Sequence, residues 1–138
     1  MVPTRVCNEL QAFLNLWCSK IFVPNDVQGL CFFPTSFENN QLIDFVTYSS
    51  GGSTATFGNL SYPGKFTITS ASNGTRSLFG GGYNVAQGGG VYNTIDYVTI
   101  ASTGNSLDFG NLTDQRYWPG ALASSVRAVF AGGSSSAG

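Results

Sequence analysis

The chain has 138 residues, of which 9% are charged and 14% are aromatic, and it contains 18 glycines. Its length suits one ordinary domain, and a low charge combined with many aromatic rings excludes a disordered chain. The formal net charge of −1 gives no basic surface of the kind that nucleic-acid binders carry, so we expect no nucleic-acid partner.

The first predicted element is a helix over residues 4–22, within an N-terminal segment that we assign to 1–28. Its apolar residues recur at spacings of three and four, which places them in one stripe. The stripe consists of Val6, Leu10, Phe13, Trp17 and Ile21. It either packs on the chain's own β region or anchors the chain on another copy or another protein. No segment approaches the roughly 18 apolar residues of a membrane span, so no membrane partner is expected.

Three cysteines, Cys7, Cys18 and Cys31, lie in the first quarter of the chain. An odd number excludes complete pairing within one chain, and their spacing does not fit a zinc motif in a chain that has no histidine. We therefore expect free thiols in apolar surroundings, with no metal and no other cofactor.

Residues 29–138 form the predicted β region, which opens with a short strand at 29–33 that Pro34 ends. From residue 42 onward the sequence repeats itself, with two copies at about 43–82 and 95–133. The matching blocks are IDFVTYSS (43–50) with IDYVTIAS (95–102), FGNL (57–60) with FGNL (109–112), and RSLFGGG (76–82) with RAVFAGG (127–133). The first two blocks have an offset of 52 residues and the third an offset of 51, so one deletion reconciles them.

Each repeat unit is predicted to contain four short strands, because short runs of β-branched and aromatic residues alternate with turn-forming residues. The predicted strands of one unit are 66–70, 76–79, 95–100 and 107–109. A glycine-rich loop at 82–90 separates the second strand from the third.

Three motifs of the second copy carry a resemblance to a known family. These motifs are NTIDYVTIASTGN (93–105), DFGNLT (108–113) and RAVFAGG (127–133). In this order they resemble the kelch-like repeats of tailed-bacteriophage virion proteins, particularly those of cyanophage type. The resemblance covers residues 42–133, and the first copy departs from it at Tyr48 and Thr56.

The resemblance implies an all-β fold of kelch-like, four-stranded blades. Propellers need about four to eight blades, whereas this chain holds material for about two. We therefore expect a homo-oligomer with open strand edges paired between copies, and a trimer that closes a six-bladed ring is favoured. The alternative is a small β-sandwich whose edges are covered by neighbouring subunits.

Repeat-equivalent charges suggest structural ion pairs. Asp44 matches Asp96, and Arg76 matches Arg127, so an Asp–Arg bridge within or between blades is predicted. The alternative, a repeated acidic Ca²⁺ ligand, is less favoured because Ca²⁺ needs several oxygen ligands gathered together.

The absence of histidine removes the commonest general base, so we expect that the protein is not an enzyme. Aromatic rings in predicted loops are the best candidates for recognition of a surface glycan or a partner protein. They are Tyr83, Tyr92, Tyr117 and Trp118, although the same rings would also suit packing onto the core or between subunits.

The resemblance implies two functions. The first is a structural virion component, a capsid decoration or a tail or baseplate accessory, which assembles with itself and docks on other virion proteins through its N-terminal segment. The second is a fibre-tip module that binds a host receptor or glycan. In both cases the protein would be localised to the virion, which is assembled in the host cytoplasm.

Overall fold

The computed structural model describes residues 28–31, 41–47, 53–84 and 89–135. These residues form an all-β protein of antiparallel sheets and contain no helix. The helix predicted over 4–22, with its stripe from Val6 to Ile21, lies outside the described residues, as do Cys7 and Cys18.

Twelve strands follow one another along the described chain. They are β1 (Gln28–Cys31), β2 (Leu42–Thr47), β3 (Ala55–Asn59), β4 (Lys65–Phe66), β5 (Thr69–Ser72), β6 (Arg76–Gly80), β7 (Tyr83–Asn84), β8 (Gly90–Val91), β9 (Thr94–Thr99), β10 (Leu107–Asn111), β11 (Gly120–Ala123) and β12 (Ala128–Ala131).

The central sheet has four antiparallel strands in the order β10-β9-β6-β5. Its strands are neighbours in the order of the chain, apart from β7 and β8, which lie in the connection between β6 and β9. Those two short strands form a separate small sheet with β4, in the order β4-β7-β8. β7 and the start of β8 lie in the region predicted as a glycine-rich loop. The remaining strands form a three-stranded sheet, β1-β2-β3, and a two-stranded sheet, β11-β12.

The two sequence repeats share unusual backbone features at matching positions. The pairing of β2 with β3 shifts between Ile43 and Asp44, and the pairing of β10 with β9 shifts between Asp108 and Gly110. In each copy, adjacent isoleucine and aspartate residues pair with two residues of the other strand that are separated by one extra residue. The extra residue is Phe57 in β3 and Phe109 in β10. Such a β-bulge turns the extra residue's side chain away from the regular alternation.

A second shared feature is a left-handed backbone at a residue other than glycine. Thr67 has φ of 56° and Trp118 has φ of 55° at the matching position, 51 residues further along the chain. The pairing of Phe66 with Tyr83 likewise corresponds to an isolated bridge between Tyr117 and Ser134. This conformation is costly for side chains with a Cβ atom, so its recurrence shows that the surrounding contacts impose it.

The strand predicted at 66–70 is interrupted in the structure. β4 ends at Phe66 and β5 begins at Thr69, because Thr67 adopts the left-handed conformation. The backbone N–H of Trp118 donates to the Thr67 carbonyl oxygen at 3.1 Å, and the Thr67 hydroxyl donates to the carbonyl of Phe66 at 2.6 Å. The first bond is a long-range contact and the second depends on the local backbone conformation. A strand-forming sequence predicts neither.

The hydrophobic core lies between the first and the second repeat. Its buried side chains are Ile43, Phe57, Leu60, Phe79, Val98 and Ile100, with Phe45 and Ile68 packed against them. Phe45 and Phe57 meet edge to face, with ring centroids 6.0 Å apart, and the repeat-equivalent rings Tyr97 and Phe109 do the same at 6.0 Å. The core therefore joins the three-stranded sheet to the four-stranded one.

Candidate functional site: an aromatic surface above a buried ion pair

Three of the four aromatic residues predicted for recognition lie side by side. The ring centroid of Tyr117 is 5.8 Å from that of Tyr83, in β7, and 5.3 Å from that of Trp118. Trp118 is 55% exposed, whereas the two tyrosines are partly buried. The left-handed backbone at Trp118 and its hydrogen bond to Thr67 hold this ring at the junction between repeats.

The fourth predicted residue, Tyr92, lies in a separate pair with Tyr62, whose ring centroid is 5.5 Å away. The Tyr92 hydroxyl accepts a hydrogen bond from the side-chain amide of Asn84 at 3.1 Å. Tyr62 is 43% exposed and was not among the sequence-predicted residues. Its position in the turn sequence SYPG, beside proline and glycine, is the signal that could have identified it.

Lys65 lies beneath the Tyr62–Tyr92 pair, with its Nζ 5.2 Å and 5.4 Å from the two ring centroids. These distances are in the range of cation–π contacts. The side chain is only 1% exposed, and its ammonium group forms an ion pair with Asp96, which is equally buried, at 3.0 Å. The sequence gives no local sign of this burial, because lysine is almost never fully buried unless it is paired.

The charges of this pair are compensated by further hydrogen bonds. The Lys65 ammonium also donates to the Thr94 hydroxyl at 2.5 Å, and the Ser61 hydroxyl donates to the second carboxylate oxygen of Asp96 at 2.6 Å. A buried ion pair needs such bonds to offset the cost of removing both charges from water. Because Lys65 and Ser61 belong to the first repeat and Asp96 to the second, the pair connects the two copies.

Burial lowers the pKa of Lys65 below its ordinary value of 10.5. Desolvation disfavours the ammonium ion, and this effect exceeds the opposing attraction of Asp96, the hydrogen bond to Asp96 and the weaker attraction of Asp108.

Among the described residues, Asp96 pairs with a lysine, whereas the sequence predicts an arginine partner for it. Arg76 lies over the Tyr97 ring instead, with its Cζ 4.8 Å from the ring centroid. Arg127 is exposed, and its backbone N–H donates to the Ser124 hydroxyl at 3.1 Å. No arginine forms an ion pair with Asp44 or Asp96 within the described ranges. For Asp44 the predicted bridge to an arginine, within or between blades, stays a prediction.

The site presents aromatic rings to a ligand. The ion pair is sealed from solvent, so it can orient Tyr62 and Tyr92 but cannot contact a ligand. Exposed rings beside hydroxyl and amide groups suit the flat apolar faces of sugars or the side chains of a partner protein. No group of three or more potential metal ligands occurs among the residues that the structure describes.

No protein-family model matches the sequence, and no curated protein matches it either. In the part of the chain described here, no helix is long and apolar enough to cross a membrane.

Proposed function

We propose that the protein is a non-enzymatic structural component of a tailed-phage virion, a capsid decoration or a tail or baseplate accessory, which acts by self-assembly and docking. The virion assignment is supported by the resemblance of the repeat motifs between residues 42 and 133. The self-assembly part is supported by one structural observation, which is the different environment of equivalent residues in the two repeats.

Phe57 in the first repeat is 4% exposed, whereas its equivalent Phe109 is 54% exposed. The second repeat covers Phe57 through the loop between β9 and β10, whose Gly104 N–H donates to the Phe57 carbonyl at 2.8 Å. Further apolar side chains are exposed on or near the second copy, and they include Leu107, Leu122 and Val129. Exposed apolar side chains that are buried at an equivalent position favour an interaction surface.

The sheet arrangement supports kelch-like blades as the finer description of the fold. The sheet β10-β9-β6-β5 has the four antiparallel strands and the sequential order of one blade, and the other large sheets match parts of a blade. In this proposal three copies form a six-bladed ring. The N-terminal segment 1–28, with its apolar stripe, docks on other virion proteins.

The second candidate function is binding of a host receptor or surface glycan. It is favoured by the exposed rings of Tyr62 and Trp118 and by the grouping of Tyr83 with Tyr117. The two functions are compatible in one protein. Loss of the aromatic rings would impair adsorption if they bind a receptor, and incorporation into the particle if they are structural.

Cryo-electron microscopy of the virion, with copy number counted, tests the structural role directly. A position on the particle supports it, and absence from purified particles overturns it. Alanine at Tyr83 and Trp118 separates the two functions, with Val126→Ala, in an exposed hairpin, as the matched control. Loss of adsorption with normal incorporation favours receptor binding, whereas loss of incorporation favours the structural role.

A further inference from the structure

The ion pair that joins the two repeats has an equivalent that is incomplete among the described residues. The offset of 51 residues that relates Thr67 to Trp118 also relates Lys65 to Arg116. The partner of Lys65 is Asp96, whose equivalent in the first repeat is Asp44. The chain therefore has a second basic residue, Arg116, on the face of the second repeat that would meet a following repeat. We call this the outgoing face. It has a second acid, Asp44, on the face of the first repeat that would meet a preceding repeat, which we call the incoming face.

In the described part of the chain, neither Arg116 nor Asp44 has the partner that the repeat predicts. The Arg116 guanidinium donates from one terminal nitrogen to the Gly132 carbonyl at 3.1 Å, but its buried Nε has no hydrogen-bond partner among the described residues. Asp44 is partly buried, and in the described ranges no basic group forms an ion pair with it. A buried donor without a partner is costly, so a partner for Arg116 is physically favoured.

The glycines of the repeated FGNL block also differ in what covers them. A Cβ atom built at Gly58 would overlap the carbonyl oxygen of Gly104 in the second repeat. A Cβ built at the equivalent Gly110 has nothing within 4 Å. Strand β10, which carries Gly110, is also the last strand in the order of its sheet. The first repeat contacts the second at Gly58, whereas the equivalent position in the second repeat, Gly110, is uncovered.

We propose that a second copy of this chain packs on this face head to tail, with Arg116 of one copy paired to Asp44 of the next. This inference rests on the self-assembly part of the proposed function and names its contact. The arrangement repeats the Lys65–Asp96 pair between chains. Ser53 and Thr54 of the incoming copy then occupy the positions that Asn105 and Ser106 occupy against Asn59, where Ser106 N–H donates to the Asn59 carbonyl at 2.8 Å.

The contact requires an exchange of strands at the edge of β2. β1 pairs with β2 in the register in which β6 pairs with β9: the backbone partner of Asp44 is Cys31, as that of Asp96 is Phe79. By the repeat, β12 is the equivalent of β6, and β11 is its one partner among the described strands. In the joined copies β12 of one chain takes the edge of β2 in the next, and β1 leaves it. Two strands of one chain and two of the next then complete a four-stranded sheet.

Each chain adds two repeats to the assembly. A head-to-tail contact of this kind produces a ring only if the rotation between successive chains closes. Three copies give six repeats, which agrees with the size range of propellers. The same contact cannot form a symmetric pair, since the outgoing and incoming faces differ.

Charge reversal tests the contact in the full-length chain by light scattering coupled to size-exclusion chromatography. We expect Arg116→Asp and Asp44→Arg each to reduce the mass from that of three chains to that of one, and the double variant to restore it. Asp114→Arg, which makes the same change as Asp44→Arg at an exposed position, is the control and should leave the mass unchanged. Arg116→Lys should keep the assembly, because lysine occupies the equivalent position in the first repeat.

The outcomes are separable. A wild-type oligomer that Arg116→Asp leaves intact overturns this contact but not self-assembly. Loss of assembly in both single variants without recovery in the double variant overturns the Arg116–Asp44 pairing, provided that thermal melts show folded chains. A monomeric wild type overturns self-assembly itself and the contact with it. The virion assignment is tested independently by locating the protein on the particle with cryo-electron microscopy.

Discussion

At the scale of single residues, the molecule is organised by the buried pair of Lys65 and Asp96. Each is 1% exposed, and the pair connects one repeat to the other at 3.0 Å. Thr94 and Ser61 complete its hydrogen bonding. Because a buried ion pair gains little over apolar packing but is costly to break, its energetic effect appears only when one partner is removed.

We expect Lys65→Met to destabilise the protein by about 3–5 kcal/mol, because it leaves the Asp96 carboxylate buried without a counter-charge. The double variant Lys65→Met, Asp96→Asn should be less destabilised than Lys65→Met alone. Urea denaturation measures both, with Arg127→Met as the control for loss of an exposed positive charge. A double variant as unstable as the single one would show that the pairing is not the source of the loss.

The lowered pKa of Lys65 predicts a pH dependence of stability with a definite sign. Between the lowered pKa and the ordinary value of 10.5, the unfolded chain binds a proton that the folded chain has released. The free energy of unfolding contributed by this group therefore rises with pH in that window. Denaturation of wild type and Lys65→Met from neutral pH to about 10.5 measures the difference in slope. Parallel pH profiles would contradict it.

At the scale of elements, the β-bulges and left-handed turns are what bring the two repeats into contact. Phe57 and Phe109 are the extra residues of the two bulges. Phe57 is buried against the second repeat, whereas Phe109 is exposed. The backbone of β3 approaches the loop before β10 so closely that there is no room for a side chain at Gly58. Small residues at such contacts are required by sterics.

We expect Gly58→Ala to destabilise the fold by about 1–3 kcal/mol or more, because its Cβ would overlap backbone atoms that cannot rotate away. Gly90→Ala is the matched control: its Cβ would have nothing within 4 Å, and its φ is not left-handed. The control should change stability by less than about 0.5 kcal/mol. Thermal melts followed by circular dichroism compare the two, and an equal response would count against the close approach.

At the scale of the whole molecule, the two repeats are alike in backbone but differ in what covers them. The core is built where the second repeat covers the first, and apolar side chains are exposed where nothing in the described structure covers the second. An assembly that repeats the internal contact between chains would bury them in the same way.

Equivalent phenylalanines should therefore respond differently to the same change. Phe57→Ala should cost about 3–5 kcal/mol of folding free energy, as is usual for a buried ring. Phe109→Ala should cost only about 0.5–1.5 kcal/mol, from its edge-to-face contact with Tyr97, but it should weaken self-association. Denaturation at low concentration and light scattering across a concentration series separate the two effects. Normal assembly in Phe109→Ala would contradict a role for this ring between chains.

The sequence by itself determined the all-β class, the duplication and the repeated aspartates, because β-forming runs, turn residues and matching blocks are local patterns. It also selected four rings, of which the structure brings Tyr83, Tyr117 and Trp118 together. Only the tertiary structure decided that Asp96 pairs with Lys65 and that the strand predicted at 66–70 breaks at Thr67. Burial of a charge and a left-handed residue both depend on groups about 30–50 residues away in sequence, and no local pattern records those distances.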